Sequence, residues 1–427
     1  MINPENVHEI ICNHTIGDGE KIVIDFERSE GVHLVDALNH NRYLDCSGQY
    51  ASMALGWNNP KLKEHFKNDM KSFEFCALHK IANCDFYTSV YAEFVQKFSK
   101  ITPDFKYLFF IEGGTLGVEN AIKAAFDWKA KKLGLTNKAC DSIINKFDII
   151  HLKQAFHGRS GYCLSLTNTI QNKVALFPKF NWTRISNPKL NFPIVESKAI
   201  IDEELSLLQA EKALQSKNVA AIILETIQGE GGENHFRPEF FKSLRKLADQ
   251  YETLLILDEV QSGVGLTGKM WAYEHFGIIP DMIAFGKKTQ VCGFASTTRI
   301  DEVKDNVFHE SSRISSTWGG NIMDMCRFNK IIDVIQEDNL VDNAKNVGAY
   351  FLSELKKVSN IENIRGIGLM IAFDLVSSEK RDTVLKRLSK NASILPCGEK
   401  SIRLRPNLIF SKDNADEFIG YIKHSFD

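Results

Sequence analysis

The chain has 427 residues, of which 44% are hydrophobic and 25% are charged, and its formal net charge is −2. This near-neutral balance argues against a nucleic-acid partner or an attachment to a membrane surface, since both usually require a strongly basic chain. No run of 18 apolar residues occurs in the sequence, so we expect no membrane span. The nine scattered cysteines form no CxxC pair, which favours reduced thiols. Because the first ten residues also do not resemble a signal peptide, we predict a cytoplasmic protein.

The predicted elements, taken in chain order, indicate an α/β protein. Residues 1 to about 55 are expected to form short strands and turns. Apolar side chains at helical spacing predict a helix over 118–134, with Gly134 as its cap. Four short apolar runs follow, separated by segments long enough for helices: 147–152, 220–227, 253–260 and 281–286. This alternation predicts βαβ units and a mostly parallel sheet covered by helices on both faces.

The last hundred residues predict a smaller unit of mixed structure. A long helix is expected to begin at about residue 323. The remaining chain, which ends with the segments 403–410 and 414–426, is expected to form a smaller α/β unit. No disordered linker or internal repeat is evident in the sequence.

Polar side chains follow several of the predicted strands at the point where each strand ends. Glu225, Asp258 and Lys287 end or follow three of the apolar runs, and His157 and Arg159 follow a fourth. The carboxyl ends of parallel strands lie at one edge of a sheet, which is where α/β proteins bind their ligands. These residues therefore predict a single active site.

Asp258 and Lys287 together indicate a particular chemistry. Taken alone, the aspartate could be a helix cap or part of a structural ion pair, and the lysine could be an exposed residue at a strand end. A pyridoxal phosphate enzyme needs both groups: a lysine that binds the cofactor aldehyde and an acid against the pyridine nitrogen. The freed lysine can then act as a general base. The pair therefore favours pyridoxal 5′-phosphate as the cofactor.

Other motifs are compatible with this chemistry but are less specific. Residues 113–115, a glycine pair and a threonine before a helix, could bind a phosphate, or they could form an ordinary turn. They match neither GxGxxG nor the P-loop pattern, which argues against a dinucleotide or nucleoside triphosphate. Phe156 could stack on a flat ring or belong to the core. Arg159 and Arg403 could bind carboxylates, and Thr317, in a glycine-bearing loop, could donate a hydrogen bond to a phosphate.

Residues 255–288, "LILDEVQSGVGLTGKMWAYEHFGIIPDMIAFGKK", resemble the signature of class III (ω-amino acid) aminotransferases. The match includes Lys287, six residues after Asp281, and supporting motifs extend it from about residue 40 to the C-terminus. The resemblance implies a fold type I transferase that binds pyridoxal phosphate and forms a homodimer with its active sites at the subunit interface. It also implies a large cofactor-binding domain over 61–322 and a small domain built from 1–60 and 323–427.

The resemblance also implies a role for each matched position. Lys287 would bind the cofactor covalently, and Asp258 would pair with its pyridine nitrogen. The other roles are as follows: Gln261 at the phenolic oxygen, Phe156 on the ring, Gly114 and Thr115 at the phosphate together with Thr317 of the partner subunit, and Glu225 near the cofactor. For the substrate, Arg159 would bind the far carboxylate. Glu230 would pair with Arg403, or with Arg405 if that arginine is the second clamp, and would release it when a 2-oxo acid binds.

Within this family, "AFHGRSGYCLSLTN" and "IQGEGGENHFRPEF" look most like the members that transfer the ε-amino group of L-lysine to 2-oxoglutarate. The glycine turn lacks the glutamate that most members have after their threonine, as that subgroup also does, whereas Ser315 departs from the asparagine expected there. The alternatives are an ω-aminotransferase for ornithine or 4-aminobutyrate, an aminomutase or decarboxylase on the same scaffold, and a binding protein that has lost activity.

Overall fold

The computed structural model describes residues 2–136 and 141–426. The α-helical segments of these residues are α1 Pro4–His14, α2 Gly48–Ala51, α3 Pro60–Asn68, α4 Met70–Leu78, α5 Ser89–Ile101, α6 Gly114–Lys132, α7 Asp141–Ile144, α8 Gly161–Leu166, α9 Gln171–Val174, α10 Glu196–Leu214, α11 Pro238–Gln250, α12 Ile322–Glu337, α13 Leu340–Leu355, α14 Ser378–Leu388 and α15 Lys412–His424. The strands are β1 His33–Val35, β2 Arg42–Asp45, β3 Tyr107–Ile111, β4 Asp148–Leu152, β5 Arg184–Ile185, β6 Val219–Glu225, β7 Leu254–Asp258, β8 Met282–Phe285, β9 Cys292–Ser296, β10 Glu362–Ile367, β11 Met370–Asp374, β12 Ala392–Ser393, β13 Leu395–Cys397 and β14 Ser401–Leu404.

A seven-stranded sheet forms the centre of the molecule, in the order β3-β9-β8-β7-β6-β4-β5. Strands β8, β7, β6, β4 and β5 pair in parallel, whereas β9 is antiparallel to both of its neighbours. Strands β6, β7 and β8 are buried along their whole length, because helices cover both faces of a sheet built from crossover connections. The predicted α/β class and the mostly parallel sheet are confirmed, and the four apolar runs are β4, β6, β7 and β8.

Helix α6 packs closely on the middle of this sheet. It begins at Gly114, four residues before the predicted start at residue 118, because Gly113 (φ 96°) turns the chain directly from β3 into the helix. Gly117 faces β9, where a Cβ atom would lie 2.6 Å from the carbonyl oxygen of Gly293. The glycine therefore lets the helix approach the strand more closely than any side chain would allow.

We predict opposite stability changes for two helical glycine-to-alanine substitutions. Gly117→Ala should lower the free energy of unfolding by about 2 kcal/mol, since the new methyl group would meet strand backbone that cannot move freely. Gly420→Ala is the matched control in α15, where a Cβ atom would meet no atom within 4 Å, and it should raise stability by about 0.5–1 kcal/mol. Thermal unfolding midpoints of the two variants measure both effects. Equal shifts in the same direction would contradict this account of α6.

The N-terminal region differs from the sequence prediction of strands and turns. Residues 4–14 form helix α1, with Pro4 in its first turn and the Asn3 side chain accepting a hydrogen bond from the backbone N–H of Glu5. An asparagine followed by proline is a helix-start signal, and the prediction overlooked it. The short strands β1 and β2 and the turn-like segment α2 follow, so the expectation of short strands and turns was right for part of this region and wrong for α1.

Two smaller sheets combine chain from both ends of the sequence. The three-stranded sheet β1-β2-β12 joins residues 33–45 to residues 392–393, and the four-stranded sheet has the order β10-β11-β14-β13. Helix α12 packs against α3, α4 and α5. Helix α12, which begins at Ile322, therefore packs in one layer with helices formed by the N-terminal part of the chain. The domain bounds 1–60, 61–322 and 323–427 stay a prediction.

The cysteines among the described residues are free thiols, as predicted. The remaining cysteine of the sequence, Cys140, lies outside the described residues. Among residues 2–136 and 141–426, no helix is both long enough and apolar enough to span a membrane. The same residues contain no cluster of three or more histidine, cysteine, aspartate or glutamate side chains that could hold a metal ion.

Candidate active site

A cavity of about 630 Å³ lies where β4, β6, β7 and β8 end. All of the predicted site residues line it except Thr317, which is exposed in the loop before α12. Residues from four separate strand ends therefore meet, as the sequence predicted from the position of their polar side chains. Residues near both chain termini close the far wall, including Tyr50 and Arg403.

Asp258 is held at the end of β7 by two hydrogen bonds. One carboxylate oxygen accepts from Nδ1 of His157 at 2.8 Å, and the other accepts from the backbone N–H of Val260 at 3.0 Å. Asp258 is only 6% exposed, and His157 is only 2% exposed. A buried carboxylate needs such donors to keep its charge. The two donors therefore fix the position of the Asp258 carboxylate in the cavity lining.

Glu225 and His157, which also line the cavity, extend this network. Glu225 accepts from the backbone N–H groups of Phe156 and Gly229, yet burial raises the pKa of its carboxyl to about 7. Burial alone would lower the pKa of His157, but its hydrogen bond to Asp258 and the charges of Asp258 and Glu225 raise it above its usual value. His157 is therefore stabilised in its protonated form, in which Nδ1 donates to the carboxylate of Asp258.

Lys287 follows β8 directly and reaches into the cavity. Its backbone has φ 56°, a left-handed conformation that is uncommon outside glycine and is often found at functional sites. Its Nζ donates to the backbone oxygen of Tyr50 at 2.8 Å. Burial, together with the positive charges of Arg403 and Arg405, lowers the pKa of Lys287 to about 8. A lysine with this pKa is partly uncharged near neutral pH, as a nucleophile or general base must be.

The neighbouring Lys288 points away from the cavity. Its side chain is 1% exposed, and its Nζ donates to the backbone oxygens of Ala51 and Gln261. Helix α2 is a left-handed turn, and its successive carbonyl groups at Tyr50 and Ala51 accept from the two lysines in order. The structure therefore separates the two lysines by role and leaves Lys287 as the one available to a ligand.

The N-terminus of α6 forms another wall of the cavity. No side chain caps this helix, so the backbone N–H groups of Gly114 and Thr115 are available to a phosphate. Thr115 also contacts Ser160 through its hydroxyl at 2.7 Å, and a Cβ on Gly158 would lie 2.2 Å from that hydroxyl oxygen. This packing fixes the threonine beside the helix start, where it would contact the phosphate.

Gln261 and Phe156 lie on the same cavity surface. The side-chain oxygen of Gln261 accepts from Nε of Arg405 at 2.8 Å, which fixes the orientation of the amide. The backbone of Phe156 is tied to Glu225, and its ring lines the cavity. Both positions are compatible with the predicted contacts to a cofactor ring.

The two candidate arginines of β14 and its extension differ in their surroundings. Arg405 is 1% exposed and forms an ion pair with Glu233. Arg403 lines the cavity, and its Nε and Nη1 have no hydrogen-bond partner among the described residues. The geometry favours Arg403 as the group that meets a substrate. Arg159 lies elsewhere in the cavity wall and is exposed.

The expected ion pair between Glu230 and Arg403 is not present. The carboxylate of Glu230 instead accepts from the hydroxyl of Thr169 at 2.6 Å and from Nζ of Lys173 at 2.9 Å. The sequence did not indicate this pairing of Glu230, because Thr169 and Lys173 lie on a separate segment that only the tertiary fold brings to the cavity.

The residues present fit pyridoxal phosphate. A free lysine amine, a buried carboxylate, an aromatic ring and an uncapped helix start line one cavity, and these are the four groups that such a cofactor requires. The nitrogen Nε2 of His157 is buried and has no hydrogen-bond partner in the described residues. The sequence analysis noted His157 only as a polar residue after a strand, and it gave no role to Tyr50 or Lys173. Nothing in the local sequence signalled these two.

Comparison with known proteins identifies the family. The model for "Aminotransferase class-III" matches residues 16–426. The chain is 43% identical to the L-lysine-epsilon aminotransferase of Amycolatopsis lactamdurans, over 96% of this chain and 93% of that protein. It is 33% identical to the 4-aminobutyrate aminotransferase of Kluyveromyces lactis, over 94% and 90%. The structure matches a lysine aminotransferase from M. tuberculosis in the internal aldimine form, with a TM-score of 0.95 and 42% identity over 99% of both chains. The chain is therefore a pyridoxal phosphate-dependent enzyme of the class-III aminotransferase family.

Proposed function

We propose that this enzyme is an L-lysine 6-transaminase. It transfers the ε-amino group of L-lysine to 2-oxoglutarate, which gives 2-aminoadipate 6-semialdehyde and L-glutamate. The observation that carries the proposal is the presence of two separate guanidinium groups, Arg159 and Arg403, in the cavity of Lys287, with the carboxylate of Glu230 also in its wall. The names and the 43% identity of relatives that span almost the whole chain support the same assignment.

The two substrates present different groups at their reacting ends. The ε-carbon of lysine carries no carboxylate, whereas the reacting carbon of 2-oxoglutarate is bonded to one. Arg159 binds the distant carboxylate of either substrate, and Arg403 binds the α-carboxylate of 2-oxoglutarate. A permanently free Arg403 would draw the α-amino end of lysine into the reacting position. A carboxylate that can cover Arg403 while lysine binds removes this competition.

Pyridoxal phosphate supplies an aldehyde that takes up the amino group and a ring that accepts electron density from the substrate carbon. Residues Lys287, Asp258, Phe156, Gln261, Gly114 and Thr115 would hold it. The amine of Lys287 removes the proton from the carbon that bears the nitrogen and later returns a proton. Asp258, whose carboxylate is positioned by His157, would interact with the ring nitrogen and favour its protonated form.

The active form is a homodimer in this proposal. Thr317 of the partner subunit would complete the phosphate site, which agrees with the exposure of Thr317 and with its position outside the lining of its own chain's cavity. Sedimentation of the purified protein would test the dimer. The cytoplasmic location and the site roles stay predictions from sequence.

A second candidate donor is 4-aminobutyrate, because a relative of that name is 33% identical over 94% of this chain. The purified holoenzyme should be offered L-lysine, L-ornithine and 4-aminobutyrate in turn, each with 2-oxoglutarate, and glutamate formation should be measured. We expect the largest kcat/KM with L-lysine. Turnover of either other amine without turnover of lysine would overturn the proposed donor, and reaction without any 2-oxo acid would indicate an aminomutase or decarboxylase.

A further inference from the structure

We propose that Lys173 is a positioning residue that sets the preference of the enzyme for its 2-oxo acid substrate. It does so by holding Glu230 away from Arg403. This inference rests on the proposed function, since it concerns the second half of the same transamination. It assigns a role to a residue that neither the motifs nor the local sequence indicated.

Glu230 lines the same cavity as Arg403 but is bound by two other side chains. Thr169 donates to Oε1 of Glu230 at 2.6 Å, and Lys173, on α9, donates to Oε2 at 2.9 Å. Each carboxylate oxygen therefore has its own donor, and one of the two donors is charged. The side chain of Glu230 is 17% exposed and that of Lys173 is 35% exposed, so the pair is only partly screened by solvent.

The guanidinium of Arg403 is left with unpaired nitrogen atoms in this arrangement. The residue is 6% exposed and lines the same cavity, yet its Nε and Nη1 lack a hydrogen-bond partner in the described part of the chain. A buried guanidinium without an acceptor strongly attracts a carboxylate. Glu233, whose charge also acts on Arg403, is tied to Arg405. In this proposal, two other carboxylates compete for Arg403: that of Glu230, which lines the same cavity, and the α-carboxylate of a 2-oxo acid.

In this proposal, the carboxylate of Glu230 can pair with either of two cations, Lys173 or Arg403. When it pairs with Lys173, Arg403 is free and the cavity suits 2-oxoglutarate. When it pairs with Arg403, the positive charge there is neutralised and the cavity suits the amine end of lysine. A modest difference in free energy between the two pairings decides the populations. Lys173 shifts that balance toward the form that accepts 2-oxoglutarate.

The test uses single-turnover half-reactions of the dimeric holoenzyme and its Lys173→Met variant. Protein loaded with pyridoxamine phosphate is mixed with 2-oxoglutarate, and protein loaded with pyridoxal phosphate is mixed with L-lysine. The cofactor absorbance reports both rates. We expect Lys173→Met to raise the half-saturating 2-oxoglutarate concentration roughly two- to fivefold, the range for a partly exposed ion pair. The half-saturating lysine concentration should stay the same or fall.

Three further variants separate this role from a structural one. Lys173→Arg should restore most of the affinity for 2-oxoglutarate. In a Glu230→Ala background, Lys173→Met should have no additional effect, because the lysine acts through the glutamate. Lys198→Met removes an ion pair of the same 2.9 Å length, to Asp202 on α10, and should change neither half-reaction.

The outcomes are distinct for the two proposals. An equal rise for both substrates, an effect that persists without Glu230, or no effect at all would overturn the role of Lys173. A wild-type enzyme that reacts with 2-oxoglutarate but not with L-lysine would overturn only the proposed donor, and the 2-oxoglutarate measurements would still decide the role of Lys173. A wild-type enzyme that does not react with 2-oxoglutarate would overturn both.

Discussion

Replacing Lys287 with alanine is expected to reduce transamination by at least about 10⁴-fold, since one amine provides both the attachment of the cofactor and the general base. Its position directly after β8 and its pKa of about 8 suit both tasks. Borohydride reduction of the wild-type holoenzyme, followed by peptide mapping, should place the pyridoxyl label on Lys287. The Lys287→Ala variant should carry no label and should bind the cofactor without the absorbance shift that accompanies covalent attachment.

The adjacent Lys288 provides the matched control. Its amine donates hydrogen bonds to two backbone carbonyl groups and faces away from the cavity. A Lys288→Met variant should therefore still be labelled at position 287, even where the loss of two buried hydrogen bonds lowers its thermal stability. Label at position 288 in the wild-type enzyme, or activity of Lys287→Ala within tenfold of wild type, would contradict the assigned role. Far-ultraviolet circular dichroism of each variant checks that the fold is retained.

Replacing Asp258 with asparagine is expected to lower kcat by about 10³-fold, the size of effect seen when a preorganised electrostatic group is removed. Asparagine can still accept a hydrogen bond from His157 or from the backbone of Val260, so the fold should be retained. It carries no negative charge to favour a proton on the ring nitrogen of the cofactor. Steady-state kinetics with L-lysine and 2-oxoglutarate measure the loss.

A cofactor analogue methylated on the ring nitrogen makes this prediction specific. Its ring is permanently charged, so it should restore part of the lost rate in Asp258→Asn but none in Lys287→Ala. His157→Gln should show a smaller loss, roughly 10-fold to 100-fold, because the histidine acts only through the carboxylate. Failure of the analogue to help Asp258→Asn, or a larger loss in His157→Gln than in Asp258→Asn, would contradict the assigned order of contacts.

The sequence determined the fold class and the chemistry of the site. Apolar runs at the spacing of β4, β6, β7 and β8 predicted the parallel sheet, because strands buried on both faces must be apolar along their length. The same topology aligned the strand ends, so the polar residues after each run had to meet. Asp258 and Lys287 were predicted in this way, and the local motif around them indicated the family.

Only the tertiary structure decided the contacts between segments that are distant in the chain. Which lysine faces the cavity depends on the carbonyl groups of α2, more than 230 residues away in sequence. Which partner Glu230 takes depends on where the chain brings Thr169 and Lys173, and which arginine is free depends on the burial of Glu233 beside Arg405. Periodicity and motifs report local conformation, whereas an ion pair depends on distance in space. The sequence alone therefore predicted which groups line the cavity, and the fold decided how each of them is held.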